Sequence, residues 1–77
     1  MNSVVIEGWN PGFKKIGFAN LLREYANYSL SSAKKAVDLV LAGEPLLVQI
    51  ANSRAESFIL EATELGAICR SLEGDEV

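Results

Sequence analysis

The residues best equipped for chemistry gather at the first strand-to-helix junction, Glu7-Gly-Trp-Asn-Pro-Gly-Phe-Lys-Lys15. Two glycines and two lysines behind an apolar run are ingredients of a loop that cradles phosphate with backbone N–H groups. Such a loop needs four residues between its glycines, followed by lysine and then serine or threonine. Here Gly8 and Gly12 are too close together, and Phe13 and Lys14 follow the second glycine. Spacing and hydroxyl both fail, so the junction is expected to turn the chain. Trp9 has a second use, because a loop tryptophan can anchor an interface. Its other reading is a lid over one end of the core.

The remaining chemistry is sparse. There is no histidine, so general acid–base work would fall to carboxylates, lysines or tyrosines, and no paired arrangement is visible. The single cysteine, Cys69, lies in an apolar segment where a buried thiol is inert packing. Metal-ligand spacing of cysteine and histidine is absent. The expectation is a non-enzyme without cofactor, metal or catalytic residues.

Composition narrows the class further. With 49% apolar residues and two prolines, the 77-residue chain reads as one globular domain, not a disordered one. One cysteine provides no disulfide framework, which fits a reducing compartment. The opening lacks the charged and apolar regions of a secretory leader, so a cytoplasmic location is expected. The longest apolar stretch, Ala36 to Ala51, is broken by Asp38, Glu44 and Pro45 and cannot span a bilayer. A net charge of −3 argues against direct nucleic-acid binding. The charge is unevenly placed, however: residues 1–35 balance at +3 and residues 36–77 at −6. A molecule with a basic and an acidic face can steer toward a charged protein partner.

Periodicity supplies the elements that must position these groups. Ser3 to Glu7 reads as a strand through its β-branched run, and Pro11-Gly12 as a turn. From Lys14 to Asn27, Ile16, Ala19, Leu22 and Ala26 follow helical spacing, joined by Phe18, Leu21 and Tyr25. A second helix, Leu30 to Ala42, is capped by Ser29 or Ser31 and buries Leu30, Ala33, Val37, Val40 and Leu41. Gly43-Glu44-Pro45 ends it, and Leu46 to Ala51 forms a second strand. Ser53-Arg-Ala-Glu56 matches a capping box, in which two side chains satisfy each other's free N–H groups at a helix start. The third helix stops at Gly66, and Ala67 to Leu72 forms a third strand. Residues 72–77 fray, acidic from Glu73 onward.

The order β-α-α-β-α-β implies an α+β, two-layer sandwich, a three-stranded antiparallel sheet with three helices on one face. If the first strand is central, the other two flank it, and the third helix makes a right-handed crossover. Alternation sends Val4, Ile6, Leu46, Val48, Ile50, Ala67 and Cys69 toward the helices. The opposite face then carries Val5, Glu7, Leu47, Gln49, Ile68, Arg70 and Leu72. Val5, Leu47, Ile68 and Leu72, beside Arg70, make that face a candidate contact with a partner or a second copy.

In this order and spacing, the elements resemble the C-terminal domain of the bacterial ribosomal stalk protein over about residues 4–72. The motifs that carry the likeness are Lys15-Ile16, Arg23, Leu30-Ser-Ser-Ala33-Lys34, Pro45, and Ala55-Glu56 through Leu65-Gly66-Ala67. In that family the first two helices recruit translational GTPases through lysines and an inter-helix glycine. The resemblance thus implies a recognition surface at Lys14, Lys15, Arg23, Lys34 and Lys35, with Trp9 nearby. The motif is half kept: Asn20 and Ser31 stand where the family has lysines, and Ser29 where it has glycine. The same fold serves the adaptor that presents N-degron substrates to the Clp protease. That function needs an acidic pair after the first strand and a histidine on the second helix, and this chain has neither. The expected role is a protein-binding domain for an acidic protein surface. A toxin-neutralising immunity protein is the alternative, followed by a translation accessory.

Overall fold

The computed structural model describes residues 2–72. The elements are β1 (Asn2–Trp9), α1 (Lys15–Ala26), α2 (Leu30–Leu41), β2 (Leu46–Ile50), a 3-10 turn (Asn52–Arg54), α3 (Ala55–Glu64) and β3 (Ala67–Ser71). The strands form one antiparallel sheet in the order β2-β1-β3. The expected architecture is present: the helices cover one face of this sheet and leave the other to solvent. Val4 and Ile6 of β1, Leu46, Val48 and Ile50 of β2, and Ala67 of β3 are buried against the helices. Phe18, Leu22, Val40 and Phe58 supply the large side chains of the helical layer, and among the described residues no polar side chain is buried with them.

Each helix ends for a local reason. At the C-terminus of α1, Asn27 takes the left-handed conformation (φ 60°) that asparagine tolerates better than most residues. Ser29 caps α2, its Oγ accepting the Ser32 N–H at 3.1 Å. After α2, the N–H groups of Gly43 and Glu44 donate back to the carbonyls of Val40 and Leu39.

The capping box at Ser53–Glu56 is not formed. The chain enters α3 through the 3-10 turn, and Arg54 occupies the cap position without a side-chain hydrogen bond. The turn's i→i+3 bonds, Arg54 N–H to Ala51 C=O at 2.9 Å and Ala55 N–H to Asn52 C=O, satisfy neighbouring amides at this helix start without a side-chain cap.

β1 is longer than expected and carries a bulge. Ile6 pairs with Cys69 but Gly8 pairs with Ile68, so Glu7 is an extra residue in the ladder. The insertion brings Trp9 opposite Ala67, at the helix side of the sheet end. Trp9 is thus the last strand residue, not part of a loop. Its ring lies 6.3 Å from that of Phe13, which in turn lies 5.5 Å from Phe18. Leu72, expected to fray, donates its N–H to the Ser3 carbonyl at 2.9 Å. The acidic tail expected beyond it lies outside the described residues.

Candidate functional site

The β1–α1 junction is a tight structural seam. Asn10-Pro11-Gly12-Phe13 forms a hydrogen-bonded turn with Gly12 at φ 91°, the type II geometry that calls for glycine in third place. Asn10 N–H donates to Gly66 C=O at 2.8 Å, Phe13 N–H to Asn10 C=O at 3.1 Å, and Lys14 N–H to Leu65 C=O at 2.9 Å. Pro11 has no N–H to give. These amides fasten the junction to the α3–β3 turn, so they are not turned outward to cradle an anion.

A concave site does exist between α1 and α2, a groove of about 270 Å³. α1 contributes Lys15, Ile16, Ala19 and Asn20, and α2 contributes Leu30, Lys34, Val37 and Asp38. The spacings i, i+1, i+4, i+5 on one helix and i, i+4, i+7, i+8 on the other bring each set to one side of its axis. The methyl of Ala19 lets the helices approach, and buried Val37 forms part of the floor. Ile16 and Leu30, which the periodicity assigned to the interior, are instead 79% and 51% exposed. A helical repeat shows that apolar residues share a face; it does not show that another element covers that face.

Two of the basic residues expected at a recognition surface, Lys15 and Lys34, meet in this groove from opposite helices. Lys14, Arg23, Lys35 and Trp9 do not line it. Lys14 occupies the cap position of α1, and Arg23 lies in that helix's last turn, where its charge complements the helix dipole. Sequence reasoning missed Ala19, Asn20, Val37 and Asp38 as lining residues. The signal available was an apolar stripe wider than the core needed.

The outer sheet face is the second exposed apolar surface. Leu47 is 54% exposed, Ile68 and Leu72 are exposed as well, and Val5 at the centre is half-buried among its neighbours. Among the described residues the face carries one acid and one base. Glu7 and Arg70 pair with each other at 2.8 Å, while Gln49 donates to Ser3 Oγ at 3.0 Å. Val5 is the register partner of Arg70, and Glu7, two residues further along β1, reaches the guanidinium diagonally across the two strands.

A further cluster ties α1 to α3. Tyr25 donates its hydroxyl to Glu61 at 2.6 Å, and the Arg54 guanidinium stacks 4.2 Å above the Tyr25 ring. The hydrogen bond to Glu61, and secondarily desolvation, raises the Tyr25 pKa above its ordinary value. Cys69 is partly buried on the helix side, not fully enclosed as the alternation suggested. Burial pushes its thiol up to about 11, which keeps it protonated and a poor nucleophile at neutral pH. No group of three or more potential metal ligands occurs among the described residues, and no helix there is long and apolar enough to cross a membrane.

Neither the known family models nor the curated protein sequences contain a match to this chain.

Proposed function

We propose that this chain is a non-enzymatic protein-binding domain whose α1/α2 groove receives an acidic protein segment with an apolar face. The observation that carries the reading is the position of Ile16 and Leu30. Two large aliphatic side chains stand exposed at a groove that Lys15 and Lys34 flank with positive charge. Exposed isoleucine and leucine gain by being covered, roughly 25 cal/mol for each Å² removed from water. The two lysines select carboxylates, and the single Asp38 does not cancel them. The likeness of the first two helices to the ribosomal stalk domain supports the same surface. It leaves a translational GTPase as one partner of the right kind. A basic toxin, the alternative partner, would instead seek the acidic α3 side of the molecule.

The test is capture from an extract of the source cells on the immobilised domain, in wild-type and Lys15→Glu/Lys34→Glu forms. Proteins bound to the groove should be held by the wild type, released by moderate salt, and bound about tenfold more weakly by the doubly substituted form. Ile16→Asp should lose the same proteins. If all three forms retain the same set, and salt makes no difference, the groove is not the binding surface.

A further inference from the structure

We infer that the outer face of the sheet is covered in solution by the same face of a second copy of this chain, in a weak two-fold dimer. The inference does not rest on the groove, which lies in the helical layer on the opposite side of the sheet.

The occupant follows from charge. The chain carries −3 overall, so most pairings of its surfaces bring like charges together. The outer face is an exception: among the described residues its one acid, Glu7, and its one base, Arg70, are in contact and leave the face neutral. A strongly basic or acidic partner finds no complementary field there. A second copy meets no net repulsion. Two-fold pairing also requires self-complementarity, because each residue that touches a given neighbour is itself touched by that neighbour's counterpart. A face with one carboxylate and one guanidinium among Val5, Leu47, Ile68 and Leu72 meets that condition. Arg70 and Glu7 are both substantially exposed, so exchanging the partner within the pair costs little.

Size sets the strength. Three strands spaced about 4.8 Å apart, five residues long at about 3.3 Å each, give a patch smaller than the roughly 800 Å² per partner of a standard stable interface. The dimer should therefore have a dissociation constant in the micromolar range or weaker, forming as concentration rises and coming apart on dilution.

Sedimentation velocity on the full chain, from about 10 μM to about 1 mM, tests this. The wild type should shift from monomer toward dimer across that range. Leu47→Glu and Ile68→Glu, both at exposed positions, should each raise the midpoint concentration at least tenfold, and Ile16→Glu in the groove should not move it. A second experiment uses charge alone. Glu7→Arg and Arg70→Glu should each self-associate less than wild type, because each places two like charges on the face. An equal mixture of the two should recover association as a mixed dimer. A single monomeric species at every concentration overturns the inference. So does association that survives both sheet substitutions, or a mixture that associates no better than its components.

Discussion

Gly66 lies where two backbones come close. A Cβ at this position would sit 2.9 Å from Phe13 Cα, and its φ of 102° is one that side-chain-bearing residues rarely adopt. Gly12, in the facing turn, also has positive φ (91°), but open space surrounds it. The two glycines separate conformational strain from collision. Gly12→Ala should cost about 1 kcal/mol, the strain alone. Gly66→Ala should cost about 2–4 kcal/mol, because the Phe13 backbone must also move and would pull on the hydrogen bonds from Asn10 and Lys14. Urea denaturation of both variants measures the difference, and equal losses would contradict the packing argument. Sequence alone marked both residues as punctuation. It could not mark the collision, because that depends on a contact between segments more than fifty residues apart. Trp9 was misplaced for a related reason: the bulge at Glu7 is a property of the β1–β3 ladder, and nothing in the local residues announces it.

Helix starts separate local signal from local structure. Ser29 and Ser53 both precede helices, and Ser53 has the better motif, yet only Ser29 accepts a capping hydrogen bond. Ser29→Ala should therefore destabilise the fold by about 1 kcal/mol. Ser53→Ala should stay within about 0.5 kcal/mol of wild type. Thermal unfolding of the two variants distinguishes them, and a larger loss at Ser53 would mean that the box forms after all. The elements themselves were legible to within a few residues, since apolar spacing and the breaks at Asn27, Gly43 and Gly66 mark them directly. The cap was not, because the chain enters α3 through a 3-10 turn whose backbone bonds use the Arg54 and Ala55 N–H groups and leave no distinctive residue behind. The groove was half legible. Lys15 and Lys34 were identifiable as charged and near the helix pair. Leu30 is expected in the interior and Ile16 lies on the helical repeat of α1, but periodicity does not reveal that no further element covers that edge of the helix pair.

For the whole molecule, the division of charge along the chain is largely a division in space, with Glu24 on α1 and Asp38 on α2 as acids among the bases. The basic residues Lys15, Arg23, Lys34 and Lys35 project from α1 and α2, and Glu56, Glu61 and Glu64 from α3. This much could be read from composition by halves. The two-layer architecture could be read from element order, because a short amphipathic sheet has to cover one face. Sheet order was conditional on β1 lying in the middle, and the structure places it there. That position bears on how the polypeptide is made. β1 is synthesised before both of its neighbours, residues 46–50 and 67–71. Local helices can form early; the sheet must wait for distant segments. A chain stopped after Gly66 should therefore melt without a cooperative transition by circular dichroism, and a sharp melt from that fragment would show that β3 is dispensable. During synthesis, β1 stays half-matched until β3 has emerged, and its free edge is open meanwhile to chaperones or to misassociation with another nascent chain.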